Sequence, residues 1–172
     1  MPRNSTGALK LITGTTALVT GASSVATVFY QGVIYCYDGA QPADADDAIT
    51  TQTQVCIISL NGGAFAHGTG TNGLVFGTPT CSGTGAAKIV SLPKPALTLW
   101  AATCGTLSGT LTANFAILVG NAVDAGSLST VLPRIVLTVS DGTGTGELKL
   151  NTISCVTGTE LQVASLDIKL GV

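Results

Sequence analysis

The chain has 172 residues, of which 9% are charged and 22 are glycine, and its mean hydropathy is +0.52. Seven Lys and Arg stand against nine Asp and Glu, a formal net charge of −2, which argues against nucleic-acid binding because phosphates demand a basic face. So apolar a composition excludes disorder, no run nears the ~18 apolar residues of a membrane span, and so little surface charge, against about 25–35% on a well-solvated surface, points to a homo-oligomer or a surface covered by other subunits.

At the start, Arg3 and Lys10 precede a mildly apolar stretch that Gly14, Thr15, Thr16, Thr20 and Gly21 interrupt, which makes a poor secretion signal. Residues 1–31 read as an N-terminal arm with a short helix. Ser23 and Ser24 can cap a turn that carries Val25, Val28 and Phe29 on one side, and Gly32 ends it. Another turn is expected over 7–12. Residues 32–172 read as one β domain. Val33-Ile34-Tyr35-Cys36-Tyr37 is β-branched and aromatic and stops at Asp38-Gly39, a strong turn pair. Its alternation sets Val33, Tyr35 and Tyr37 on one face and Ile34 and Cys36 on the other. Residues 40–47 form a polar loop around Pro42. A strand over 54–60 ends at Asn61-Gly62-Gly63. A short apolar strand over 73–77 leads into a Gly/Ser/Thr loop that holds Cys81. Strands over 88–92 and 97–102 flank Pro93-Lys94-Pro95, which forces an extended break. Further strands are expected over 111–119, 131–139 (with Pro133 at an edge or a strand start), 147–151 and 160–170. About nine strands at intervals of roughly 8–15 residues read as an all-β fold, an antiparallel, jelly-roll-like β-sandwich behind a short N-terminal arm.

Chemical motifs are sparse. Residues 17–24 look like the opening of a dinucleotide fold, but Val25 and Thr27 stand where glycines must let backbone approach a pyrophosphate. Gly68-Thr69-Gly70-Thr71-Asn72-Gly73 matches a phosphate-loop pattern literally, yet opens onto Leu74-Val75-Phe76 rather than a helix. His67 is the single histidine and has no nucleophile motif beside it, so it reads as a loop residue. Asp44, Asp46 and Asp47 form an acid cluster without EF-hand spacing and read as a capped loop. Trp100 reads as core. No catalytic residue, cofactor or metal is expected. The five cysteines, Cys36, Cys56, Cys81, Cys104 and Cys155, contain no C-x-x-C pair; they are either buried thiols or partners in one or two disulfides. Cys36 and Cys56, on consecutive strands, should both be buried, and Cys81 is the thiol expected to be exposed and free to bond another chain.

Gly32-Val33-Ile34-Tyr35-Cys36-Tyr37-Asp38-Gly39-Ala40-Gln41-Pro42-Ala43-Asp44-Ala45-Asp46 resembles a recurrent phage segment reading roughly GVIRIYSGAQPASAD. Asn61-Gly62-Gly63-Ala64-Phe65 and Thr71-Asn72-Gly73-Leu74-Val75-Phe76-Gly77 are similar to its LxGGAF and TNGLxFG pieces, and 146–151 with the closing strand from Leu161 resembles its AELNM segment and last strand. Ser5-Thr6-Gly7 is also similar. Residues 80–130 diverge: where the family carries Trp-Ser-Gly and an aromatic strand, this chain has Leu99-Trp100-Ala101 and Asn114-Phe115-Ala116. The resemblance implies a small virion structural protein of tailed bacteriophages, located in the virion and binding other virion proteins, with no catalytic residues. Capsid decoration or cement is the expected role; a neck, collar or tail position and a glycan-binding module stand as alternatives, the latter resting on Tyr35, Tyr37 and Asp38. The elements expected to make contacts are the arm over 2–16, through Pro2, Arg3, Leu9 and Leu11, and the loop over 40–47, through Gln41, Pro42, Asp44 and Asp46.

Overall fold

The computed structural model describes residues 3–4, 25–78, 80–82 and 89–171. Among them, one helical turn, α1 (Val25–Val28), precedes a chain otherwise built of strands. These are β1 (Arg3–Asn4), β2 (Val33–Asp38), β3 (Thr53–Leu60), β4 (Thr80–Ser82), β5 (Ile89–Pro93), β6 (Trp100–Thr103), β7 (Leu111–Thr112), β8 (Phe115–Val119), β9 (Arg134–Asp141), β10 (Leu148–Leu150), β11 (Ser154–Cys155) and β12 (Glu160–Gly171). The all-β character expected from the sequence holds.

The expected pair of stacked sheets does not form. Strands β9-β8-β2-β3-β6-β12 lie side by side, and β10 pairs with both β12 and β9, so seven strands close into a barrel. The β9–β10 pairing is parallel; the others are antiparallel. Alternating polarity looks the same in a sandwich and in a barrel, because each strand has one buried and one outer face in both. Closure depends on which strand spans the last gap, and that strand is only three residues long. Leu148 and Leu150 are buried and fill the gap from inside. Glu147 fastens it: its carboxylate accepts from the Thr138 amide at 2.8 Å and from the Thr138 hydroxyl.

Outside the barrel, β1 pairs with the first half of β9, and β5 and then β4 extend the sheet from the far half of β12. A two-stranded ribbon joins β7 and β11. Two of the sequence expectations need correcting here. Residues 73–77 are not a strand; Leu74 alone bridges to Gly32. Cys81 lies in strand β4, opposite Val90, and not in a loop, because the polar residues around it run along a sheet edge where both faces tolerate them.

Ile34, Cys36, Ile58, Trp100, Leu118, Leu137 and Leu161 belong to the packed barrel interior. Val33, Tyr35 and Tyr37 lie on the outer face with Phe115, Ile117, Val119 and Val136, as the alternation along β2 requires. In β3 the alternation breaks: Cys36 opposes Cys56 but Tyr37 opposes Gln54. The bulge at Val55 leaves Val55 and Cys56 both buried in the barrel core.

The antiparallel order places the start of β2, the end of β3, the start of β6, the end of β8 and the start of β9 at one end of the barrel. Loops at that end interlock through backbone hydrogen bonds, Gln31 to Leu74, Leu60 to Asn72, Asn61 to Leu99 and Gly68 to Asn121, each at 2.8–2.9 Å. Gly32 is required here, since a Cβ would sit 2.0 Å from the Val119 carbonyl oxygen. Asn61 and Asn72 adopt φ of 56° and 54°, a conformation that asparagine accepts more readily than most residues.

Candidate functional site

The outer face of β2, β8 and β9 is not open. Residues 40–49 lie along it, with Ala45 and Pro42 buried. A buried ion pair fixes this loop. Arg134 opens β9, and its guanidinium donates to both carboxylate oxygens of Asp124, at 2.6 and 2.5 Å. It also donates to the carbonyls of Ser127 at 2.7 Å and Asp47 at 3.3 Å. The side chains are 1% and 4% exposed. Hydrogen bonds from the Ile49 amide to the Gly126 carbonyl and from the Ser129 amide to the Asp46 carbonyl complete the clamp. The loop expected to offer free contacts is therefore folded onto its own barrel: Pro42 is buried, Gln41 and Asp46 are half-buried, and Asp44 is exposed. Its acid cluster is self-satisfied, with Asp44 accepting from the Asp46 amide and Asp47 from the Asp44 amide. Among the described residues no group of three or more His, Cys, Asp or Glu could hold a metal ion.

Tyr35 and Tyr37 are buried beneath these loops, which removes them as a sugar-stacking platform; Asp38 accepts from Asn114 at 2.9 Å. Burial, with Tyr35 and Asp124 beside it, pushes the Tyr37 phenol up to about 12, and burial with Asp124 raises that of Tyr35.

A cleft of about 610 Å³ opens beside Tyr35, lined by the loop over 62–67, the middle of β3 and residues 103–107. His67 is half-buried there, 2.7 Å from the Tyr35 hydroxyl through Nε2 and edge-on to Phe65 at 4.6 Å between ring centres. Its Nδ1 is buried without a partner. Cys56 also lines the cleft, but its thiol belongs to the barrel core, and the neighbouring Cys36 thiol together with burial holds it far from the thiolate form, so it is not an activated nucleophile for His67. His67 lies in a loop, as expected, with a tyrosine contact that no local sequence signal marks.

Four cysteines, Cys36, Cys56, Cys104 and Cys155, are buried as free thiols in the barrel core. The Cys81 side chain lies outside the described residues, as do Pro2, Leu9 and Leu11; Arg3 is described only as backbone paired to Val136.

The feature the sequence did not announce is the barrel end described above. Tyr30, Val75, Leu97, Leu99, Val123, Leu128 and Val131 are all exposed, and all lie on the loops gathered there. Leu97 is fully exposed, and Val123, Leu128 and Val131 are 70%, 70% and 72% exposed. The two charges of the 120–133 loop region, Asp124 and Arg134, are spent on each other. Among the described residues, no helix is long and apolar enough to cross a membrane. Comparison with family models, with curated proteins and with solved structures finds no match to the chain.

Proposed function

We propose that the protein is a structural component of a tailed-bacteriophage virion, a capsid decoration or cement subunit that binds other virion proteins. The observation that supports this reading is the apolar barrel end. Seven large apolar side chains are exposed on the loops of that end, and where such side chains adjoin they form the kind of patch that protein interfaces use. The phage-like segments of the sequence supply loops at that end: 61–65 is tied to Leu99 and 71–77 to Gln31.

The mechanism is mass action. A subunit that binds only the assembled lattice stabilises it by RT ln(1 + [L]/Kd). A closed barrel suits the task because the strands hold the contact loops rigidly. The clamp at Arg134 does the same for residues 40–49, which places the exposed Asp44 on a fixed surface.

Two measurements test the reading. Purified particles are analysed for the protein by mass spectrometry, and imaging locates its copies; on the capsid shell they support decoration, at the neck or tail they replace it with those positions, and absence from particles overturns the assignment. The second uses Leu97→Asp with Val131→Asp. Both side chains are exposed, so the variant is expected to keep the wild-type circular dichroism and Tm while losing at least tenfold in particle occupancy. Full occupancy would show that the apolar end is not the contact surface.

A further inference from the structure

The four buried cysteines are arranged as a file, which specifies a chemistry that burial alone does not. Cys36 and Cys56 are direct partners across the antiparallel β2–β3 pair. Opposed residues in such a pair have Cα atoms about 4.5 or 5.5 Å apart, and both values fall within the roughly 4.4–6.8 Å that a disulfide spans. Cys104 and Cys155 lie in the same buried cluster, near enough that Cys56 interacts with Cys104 and Cys104 with Cys155. Each inner thiol thus has two neighbours and each outer thiol one. Only one pairing uses all four sulfurs: Cys36 with Cys56 and Cys104 with Cys155. The alternative bond, Cys56 to Cys104, strands both outer thiols.

We propose that the barrel fixes the redox state in which it folds: folding with a disulfide oxidant present yields Cys36–Cys56 and Cys104–Cys155 bonds, and folding under reducing conditions yields four thiols that later oxidant does not reach. With oxidised glutathione, one cysteine thiolate attacks the glutathione disulfide, forming a mixed disulfide and releasing glutathione thiolate. The neighbouring thiolate then attacks the protein sulfur of that mixed disulfide, closing the protein bond and releasing the second glutathione. Two thiols and one oxidised glutathione give one protein disulfide and two reduced glutathiones. Exchange needs a thiolate and access for the oxidant. In the closed barrel both are restricted: Cys56, which lines the cleft, is 4% exposed and the other three cysteines 2% or less, burial pushes the Cys155 thiol up to about 12 and raises Cys104, and the neighbouring Cys36 thiol together with burial raises Cys56. In the unfolded chain neither restriction applies.

The experiment uses the full chain with Cys81→Ser, so that the fifth thiol cannot shuffle bonds. One sample is refolded from denaturant in reduced and oxidised glutathione. A second is folded under reducing conditions, freed of reductant, and then held in the same glutathione buffer. Alkylation and non-reducing digestion with mass spectrometry read the pairs. The expected result is Cys36–Cys56 and Cys104–Cys155 in the first sample and at least a tenfold lower yield of both in the second over the same time, rising when denaturant is added. Cys36→Ala with Cys155→Ala is a further check: refolded in the oxidising buffer, it should form one bond, Cys56–Cys104. A dominant Cys56–Cys104 bond in the four-thiol chain, no bond after oxidative refolding, or equal oxidation of the prefolded sample would each overturn the proposal.

Discussion

Removing one side of the Arg134–Asp124 pair leaves a charge inside the protein with no counter-charge, which is far more damaging than losing both partners together. Arg134→Ala is expected to cost about 3–5 kcal/mol in urea unfolding, and the pair Arg134→Met with Asp124→Leu a good deal less. The single variant should also release residues 40–49, so limited proteolysis should cut there first. A loss below about 1 kcal/mol would mean that the pair does not organise these loops. Nothing in the sequence marked Arg134. It stands one residue after Pro133 in a stretch that reads as an ordinary strand, and its partner lies ten residues earlier in a loop. The glycine chemistry, by contrast, was partly readable. Asn61-Gly62-Gly63 was expected to turn the chain and does so, but the need for Gly32 comes from Val119, far away in sequence. Gly32→Ala should cost about 1–3 kcal/mol through the clash of its Cβ with the Val119 carbonyl; an unchanged Tm would show that the β2–β8 contact yields easily.

Strand β10 makes the difference between an open sheet and a barrel, and Glu147 holds it in place. Burial pushes the Glu147 carboxyl up, but hydrogen bonds from the Thr138 hydroxyl and amide outweigh burial and hold it below its ordinary value. A lowered carboxyl contributes stability that is present above the unfolded value near 4.5 and is lost as pH falls. Glu147→Ala should therefore cost about 1 kcal/mol at neutral pH and flatten the acid side of the stability profile. Amide exchange over Leu148–Leu150 should rise more than over β2 or β8; equal rises would place the clamp elsewhere. Most strands could be read to within a few residues, because alternating burial shows in the residue types: Val33–Asp38, Thr53–Leu60 and Glu160–Gly171 lie where the sequence suggested. Residues 73–77 misled because an apolar run also suits a segment pinned by a single bridge, as Leu74 is to Gly32. The pairing of β10 with two strands at once is long-range information that no local period carries.

The molecule as a whole should weaken in alkali. Tyr37 and Cys155 are both pushed up to about 12, from 10.0 and 9.0, and Tyr35, Cys56 and Cys104 are raised as well. Groups whose neutral form is favoured by folding give their full contribution below the unfolded pKa. Above about pH 9 the unfolded chain releases protons that the folded chain keeps, so stability falls as pH rises through this window. Urea midpoints measured from pH 8 to 11 should decline, and in a Tyr30→Phe variant, which leaves only the two buried tyrosines, tyrosinate absorbance should appear together with unfolding. A flat profile with tyrosines titrating near 10 in the folded state would show that the outer cover over Tyr35 and Tyr37 is open. The clustering of exposed apolar residues at one barrel end was not legible either: Leu97 and Val131 lie far apart in the sequence, and only the strand order brings their loops together.

Closure also imposes an order in time. Strand β12 follows the other six barrel strands along the chain, and it covers the open sides of both β6 and β10. Until residues 160–166 have been synthesised, a nascent chain has two sheet edges exposed and a half-formed interior containing Cys36, Cys56 and Trp100. Hairpins such as β2–β3 can form on the ribosome, but the barrel must wait. A chain stopped after Thr159 is thus expected to behave as a sticky, exchange-labile sheet, while one lacking only Val172 should close. Chaperone dependence should fall on that interval.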